Sequence, residues 1–215
     1  MIAPLPHLLG ITWMDPEWLL RHFHTEFVWL SLAIVFVECG LLFPFLPGDT
    51  LLFAIGLFIA GDKLNLNLYL ALVAFAVAAF LGNVVGYEIG RLVGPPLQQH
   101  EGRILKRKYF DQTAAFFDKH GSKALVIGRF VPFVRTYITV VAGVIRMDRR
   151  HFFVWSAVGA GLWVLVITLL GYFLGNTVPW LANNIDYATL AILAFSAIPL
   201  AWEAWRHRQR SGVNS

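Results

Sequence analysis

Two long apolar stretches of this 215-residue chain are broken by prolines, and both stretches carry ionisable side chains. The first, FVWLSLAIVFVECGLLFPFLPGD, contains Glu38 and Asp49, and the second, ALVIGRFVPFVRTYITVVAGVI, contains Arg129 and Arg135. A charge at bilayer depth costs about 2.5 to 3.5 kcal/mol on insertion scales. A proline interrupts a helix and frees backbone groups that lipid cannot satisfy. The two stretches therefore predict a cavity that is lined by protein or filled with water.

Composition indicates the class of protein. The chain is 58% hydrophobic and 14% charged, and its mean hydropathy is +0.64, whereas about a quarter of the residues of a soluble domain are charged. We therefore predict an all-α polytopic membrane protein. Because a span uses about 20 residues, we expect one integral membrane domain, residues 1–215. The single cysteine, Cys39, excludes an intramolecular disulfide.

The lengths of the apolar runs divide this domain into segments. In the first interrupted run, residues 27–46 are long enough to cross a bilayer core of about 30 Å, but prolines interrupt them and the apolar run that follows (51–60) is too short to span. In the second run neither half is long enough to cross alone, and we interpret both runs as re-entrant hairpins of broken helices. The hairpin breaks are assigned to Pro44, Pro47, Gly48 and Pro132. The predicted segments are an N-terminal interfacial segment (1–26), re-entrant hairpin 1 (27–60), a transmembrane helix (68–93), a cytoplasmic amphipathic segment (95–123), re-entrant hairpin 2 (124–145), two further transmembrane helices (152–178 and 187–205) and a basic cytoplasmic tail (206–215).

Positive charge predicts the orientation of these segments. Lys and Arg concentrate in residues 91–123, 146–150 and 206–210. Loops that are rich in Lys and Arg stay in the cytoplasm, so we expect all three regions, and with them the C-terminus, on the cytoplasmic side. Since one span separates the two hairpins, they should enter the membrane from opposite faces.

A weak internal similarity agrees with that symmetry. A shift of 85 residues places Pro47 on Pro132 and GYEIG (86–90) on GYFLG (171–175). Inverted repeats with broken helices and a midplane site are the common plan of secondary transporters. We therefore predict an inverted repeat, with chance alignment of glycine-rich helices as the alternative.

Smaller features suggest local structure. The glycines at 82, 86 and 90 form a small-residue face that favours close helix packing. Gly121 is expected to end a helix, and Glu88 and Arg91 are spaced to form an ion pair. In the interfacial segment, Leu19 is expected to rest on the membrane surface.

Five motifs carry a resemblance to a known family. They are ExGLLFPFLPGD (38–49), GYEIGRLVG (86–94), FFDKHG (116–121), RFVPFVRT (129–136) and AG (142–143). In this order and spacing they resemble the bacterial DedA family, and the resemblance covers nearly the whole chain. It implies a multi-pass inner-membrane protein of a superfamily that includes eukaryotic lipid scramblases. Its bacterial members are associated with moving undecaprenyl phosphate from the outer to the inner leaflet, and with dependence on the proton-motive force.

The charged residues suit that function. Arg pairs bidentately with phosphate and stays charged, so Arg129 and Arg135 are the predicted ligands of a polyprenyl phosphate or phospholipid head group. A carboxylate in a dehydrated site can exchange its proton near neutral pH, which makes Glu38 and Asp49 the predicted proton-coupling residues. Our hypothesis is that protonation of one carboxylate releases an Arg for the lipid.

A structural role is the alternative for these residues. Glu38 or Asp49 could form ion pairs with Arg129 or Arg135 that merely hold the hairpins together. Asp49 could also cap the helix that begins near Leu51. The alternative functions are a passive phospholipid scramblase and an envelope or proton-motive-force homeostasis factor that transports no lipid.

Other classes are less compatible with the sequence. The chain has no HExxH, no GxSxG and no His, Cys and Asp cluster at ligand spacing, so we expect neither an enzyme nor a metal site nor a cofactor. Basic residues between positions 103 and 108 lie beside predicted spans and suit anionic lipid head groups, so nucleic acid is not an expected partner. The oligomeric state is open, with a homo-oligomer possible.

Overall fold

The computed structural model describes residues 19–20, 26–41, 47–97 and 107–177. Within these ranges every regular element is helical, which confirms the predicted all-α class. The helices are α1 (Phe27–Gly40), α2 (Gly48–Ala60), α3 (Leu68–Leu97), α4 (Arg107–His120), α5 (Ala124–Ile127), α6 (Pro132–Val144) and α7 (Arg149–Thr177), with 3-10 turns at Gly121–Lys123 and Gly128–Phe130.

Two of these helices are long and apolar enough to cross a membrane. They are the 26-residue segment Leu68–Val93 of α3 and the 29 residues of α7, about 39 and 44 Å long at 1.5 Å per residue. They correspond to the predicted spans 68–93 and 152–178. The shorter helices α1, α2 and α6 reach only about 20 Å, so the re-entrant hairpins stay a prediction. The predicted span 187–205, the tail 206–215, Pro44 and most of the segment 1–26 lie outside the described residues.

In both interrupted runs a helix begins at a proline or directly after one. Helix α1 ends at Gly40, and α2 begins at Gly48, directly after Pro47. In the second run, Val131 is extended (φ −104°, ψ 112°) and Pro132 is the first residue of α6. A proline disfavours the helical conformation of the residue before it, yet it fits the first helical position, where its missing N–H removes no bond. The local sequence thus accounts for where α2 and α6 begin.

Glycines allow the helices to cross closely. A Cβ at Gly82 would lie 2.4 Å from a backbone oxygen of α1, and one at Gly90 would lie 2.1 Å from a backbone oxygen of α6. At Gly86 it would meet a side-chain oxygen of α6 at 2.8 Å. The predicted packing face of α3 is therefore confirmed. In the same way, Gly56 and Gly171 bring α2 against α7, with a Cβ at either position 2.1 Å from the facing backbone.

The two halves of the described chain share a plan. Helix α2 packs along α7, and α6 packs along α3, so each 13-residue helix lies against the long helix of the other half. Both short helices end in the same way: Asp62 (φ 54°) and Arg146 (φ 52°) take left-handed conformations. The next amides, of Lys63 and Met147, donate to carbonyls five residues earlier at 2.9 and 3.0 Å. This shared plan supports the predicted repeat.

Leu19 packs in the interior. Its side chain is 4% exposed and belongs to the apolar core formed by α1, α2, α3 and α7, together with Phe58 and Phe75. The prediction that it rests on the membrane surface is wrong, because packed core side chains give it more dispersion contacts than lipid would.

The ion pair that we expected between Glu88 and Arg91 is also wrong. Glu88 instead pairs with Arg149 at the start of α7, at 3.2 Å. Arg91 donates to the hydroxyl of Tyr87, one turn earlier, at 2.8 Å, and this hydroxyl donates to the carbonyl of Met147 at 2.5 Å. The ion pair of Glu88 and the hydrogen bonds of Arg91 and Tyr87 together fix the end of α3 to the start of α7 and to the turn before it.

Gly121 provides a test of the helix ending that the sequence predicts. It follows α4 with φ 56°, and no atom lies within 4 Å of the position that a Cβ would occupy. Gly121→Ala should therefore destabilise the protein by about 1 kcal/mol through backbone strain alone. The matched control is Gly161→Ala in α7, where space is also open and alanine favours the helix. Thermal unfolding in one detergent compares them, and equal shifts for both variants would contradict the explanation.

Candidate functional site

The four charged residues of the interrupted runs lie on four different elements. Glu38 is near the end of α1, Asp49 is in the first turn of α2, Arg129 is in the 3-10 turn before Pro132, and Arg135 is in the first turn of α6. The helix breaks place all four positions beside free helix ends. Three of these side chains form one cluster.

Arg135 joins the two carboxylates. One of its terminal nitrogens donates to Glu38 Oε1 at 2.5 Å, and the other donates to Asp49 Oδ2. The three side chains are 27%, 8% and 25% exposed, in the order Arg135, Glu38, Asp49. A guanidinium that bridges two carboxylates in this way forms strong, charge-assisted hydrogen bonds. Arg135 therefore connects α6 to the end of α1 and to the start of α2. It does not connect them to the 3-10 turn that contains Arg129.

The remaining carboxylate oxygens also have donors. Glu38 Oε2 accepts the backbone N–H of Gly48 at 2.7 Å, which is one of the free amides at the N-terminus of α2. A Cβ at Gly48 would lie 2.1 Å from that oxygen, so glycine is required for this approach. Asp49 Oδ1 accepts the indole N–H of Trp163 at 2.9 Å. Each of the four carboxylate oxygens thus accepts one hydrogen bond.

Arg129 is placed differently. It is buried, with 8% of the residue exposed, and its guanidinium carbon lies 5.6 Å from the centre of the Trp163 ring. The thiol of Cys39 is a second neighbour. In the described part of the chain, no carboxylate forms an ion pair with Arg129. An unpaired buried charge costs several kcal/mol, so this position is suited to an anionic ligand.

Sequence reasoning missed Trp163. It lies in the middle of α7, is 4% exposed, and faces the guanidinium carbon of Arg135 at 5.7 Å as well as that of Arg129. Tryptophan usually marks the ends of spans, and an indole N–H in the middle of a span needs a buried acceptor. The position of Trp163 in the middle of a predicted span could therefore have identified it as a site residue.

The charges of the four residues balance. Together with Arg129, the cluster comprises two guanidinium groups and two carboxylates, so the formal charge of the site is zero when both acids are ionised. Among the described residues no three His, Cys, Asp or Glu side chains are grouped as metal ligands. His120, in the FFDKHG motif, has its Nδ1 3.1 Å from the carbonyl oxygen of Phe116.

Comparison with known proteins supports the resemblance. Residues 46–173 match the family model of the VTT domain. The chain is 41% identical over 178 residues to the protein DedA of Escherichia coli K12, which covers 82% of this chain and 81% of that protein. It is 38% identical over 215 residues to an uncharacterized membrane protein of Mycobacterium leprae, which covers 98% of this chain and 94% of that protein.

A further relative is the inner membrane protein YqjA of Escherichia coli K12, 40% identical over 147 residues, covering 67% of this chain and 66% of that protein. No solved structure matches the chain. The match to the family model and the identity to DedA confirm the resemblance that the motifs indicated. The chain therefore belongs to the DedA family of VTT-domain membrane proteins.

Proposed function

We propose that the protein is a proton-coupled flippase of the bacterial inner membrane, which moves a polyprenyl phosphate such as undecaprenyl phosphate between leaflets for cell-envelope synthesis. The observation that carries this proposal is Arg129, a buried guanidinium that pairs with no carboxylate in the described part of the chain. Beside it, Arg135 is held by two acids. The site thus combines one guanidinium that has no carboxylate partner among the described residues with a second that a proton could release.

Release of Arg135 follows from hydrogen-bond chemistry. An ionised carboxylate only accepts hydrogen bonds, whereas a protonated one also donates. A proton on the oxygen of either acid that faces Arg135 removes the negative charge that strengthens this hydrogen bond and places an O–H donor beside the N–H donors of Arg135, which favours displacement of the guanidinium. Displacement of Arg135 frees its fork of N–H groups for phosphate oxygens. Loss of the proton on the other side of the membrane restores the carboxylate pair and expels the lipid.

The surroundings of the site suit a lipid substrate. Helices α3 and α7, which are long enough to cross a membrane, expose large apolar side chains, including Val73, Leu162 and Phe173. A polyprenyl tail can remain in contact with such surfaces and with the bilayer while the phosphate enters the charged cluster. The proposed partners are therefore the lipid, protons and the surrounding membrane.

Leaflet exchange in proteoliposomes tests the proposal. Purified protein is reconstituted, and movement of undecaprenyl phosphate between leaflets is measured with and without an inward proton gradient. We expect exchange that is faster or more complete with the gradient, and none in protein-free vesicles. Exchange at the same rate and to the same extent with and without the gradient would indicate a passive scramblase. Absence of exchange by folded protein would overturn the proposal and favour an indirect role in envelope homeostasis.

A further inference from the structure

Trp163 contacts three of the four charged groups of the site. Its N–H donates to Asp49 Oδ1 at 2.9 Å, and its ring lies 5.6 Å from the guanidinium carbon of Arg129 and 5.7 Å from that of Arg135. We infer that Trp163 is a positioning residue: its ring keeps both guanidinium groups in the phosphate site, and its N–H directs the proton that Asp49 takes up. This inference rests on the proposed function.

The ring of Trp163 attracts both guanidinium groups and so offsets the repulsion between them. Two guanidinium groups repel each other in a medium of low dielectric constant, and Arg129 forms no ion pair with a carboxylate of the described chain. The face of an indole ring attracts cations, most strongly where water is excluded, and Trp163 is buried. When Arg135 leaves the two carboxylates, the ring still attracts it. Both guanidinium groups then remain where one phosphate head group can reach them.

The N–H favours protonation of one oxygen of Asp49 over the other. An indole nitrogen donates and does not accept, so the N–H of Trp163 competes with a proton for the lone pairs of Oδ1 and favours protonation of Oδ2. A proton from water therefore binds a lone pair of Oδ2, which faces Arg135, and the displaced guanidinium keeps all its protons and its charge. Gly48 acts in the same way on Glu38, because its N–H occupies Oε2 and leaves Oε1 to Arg135.

The charged and titratable groups of the site around Asp49, Glu38 and the two arginines can be named by element. Helix α1 contributes Glu38 and Cys39, the 3-10 turn contributes Arg129, and α6 contributes Arg135. From α7, the facing side chain is the neutral Trp163. Within the described residues, then, the titratable neighbours of the two arginines include two carboxylates and one thiol.

Two substitutions separate the ring from the N–H. Trp163→Phe keeps an aromatic face and removes the donor, whereas Trp163→Leu removes both and leaves a side chain of comparable size to Phe. Trp163→Met is a second non-aromatic variant, in case the leucine variant does not fold. Trp155→Leu is the matched control: the same helix, the same residue type and a partly buried position in the separate core around Tyr87.

Binding of dodecyl phosphate, measured by calorimetry in a neutral detergent at fixed pH and salt, tests the ring. We expect Trp163→Phe to bind within about threefold of wild type and Trp163→Leu and Trp163→Met to bind about tenfold more weakly, because only the aromatic face attracts the arginines. Trp155→Leu should bind like the wild type. Equal weakening by Phe and Leu, or full binding by Leu, would overturn the role of the ring.

Leaflet exchange tests the N–H. Trp163→Phe should still exchange the lipid but should lose its response to a proton gradient, because either oxygen of Asp49 can then take the proton. A gradient response equal to that of wild type would overturn the role of the N–H. If the wild type itself binds no dodecyl phosphate and exchanges no lipid, the proposed function fails together with this inference. Failure confined to the predicted differences among variants overturns the role of Trp163 alone.

Discussion

Replacement of Arg129 by methionine should abolish lipid exchange and at the same time stabilise the protein. Arg129 is 8% exposed and pairs with no carboxylate of the described chain, so its charge is held in the fold at a cost in free energy. Methionine has a similar length and no charge, and replacing buried charge by packed apolar groups can stabilise a protein by about 1 to 4 kcal/mol. Unfolding by heat or denaturant, together with leaflet exchange, measures the two effects on one sample.

Arg135→Met is the matched comparison, and its stability should change in the opposite direction. Glu38 and Asp49 both accept hydrogen bonds from Arg135. Removing one partner of a buried ion pair leaves uncompensated charge and costs about 3 to 5 kcal/mol. Both variants should lose exchange, but only Arg135→Met should be less stable. Destabilisation by Arg129→Met as large as that by Arg135→Met would show that Arg129 has a structural anionic partner.

Arg129→Lys separates charge from geometry at the same position. Lysine keeps a positive charge but cannot present the planar fork that binds two phosphate oxygens. We therefore expect strong loss of exchange with stability close to that of wild type. Transport at the wild-type rate by this variant would contradict bidentate binding of phosphate by Arg129.

The elements themselves could be predicted because their signals are local. Pro132 and the glycine that follows Pro47 mark where α6 and α2 begin, and continuous apolar runs mark α3 and α7. Gly121 ends α4 with a left-handed conformation, as its sequence context indicated. Proline restricts the backbone of its neighbour, glycine permits a left-handed conformation, and an apolar run consists of consecutive residues, so none of these signals needs tertiary information.

The pairing inside the site could not be predicted in the same way. Apolar context indicated that Glu38, Asp49, Arg129 and Arg135 need partners, but 97 residues separate Arg135 from Glu38. The choice of Arg135 over Arg129 as the bridging residue depends on how α6 and the 3-10 turn approach α1 and α2. Nothing in the local sequence encodes that approach.

Contacts between different helices explain why the partner of Glu88 was predicted wrongly and why Trp163 was missed. Within α3, spacing made Arg91 the natural partner of Glu88, whereas the fold brings Arg149 of α7 to Glu88. Trp163 was missed for the same reason, because its acceptor, Asp49, is 114 residues away in the chain. Spacing along one helix predicts possible contacts, and the packing of other helices decides which of them form.

Glu38→Gln should separate the response to protons from the movement of lipid. Glutamine can still accept the N–H of Gly48 through its carbonyl oxygen, but its amide nitrogen would then face the N–H groups of Arg135. Two donors cannot bond to each other, so Arg135 would be held by Asp49 alone. We expect downhill exchange within about threefold of wild type, a difference of less than about 0.7 kcal/mol, and no accumulation driven by a proton gradient.

Glu88→Gln is the control for this prediction. Glu88 is also paired with an arginine, at 3.2 Å, but both side chains are largely or partly exposed, and an exposed pair contributes at most about 1 kcal/mol. This variant should keep both exchange and the gradient response. Equal loss of both activities in Glu38→Gln, with Glu88→Gln unaffected, would mean that Glu38 holds α1 to α2 and α6 and transfers no proton. Loss of gradient-driven accumulation alone would assign proton coupling to Glu38.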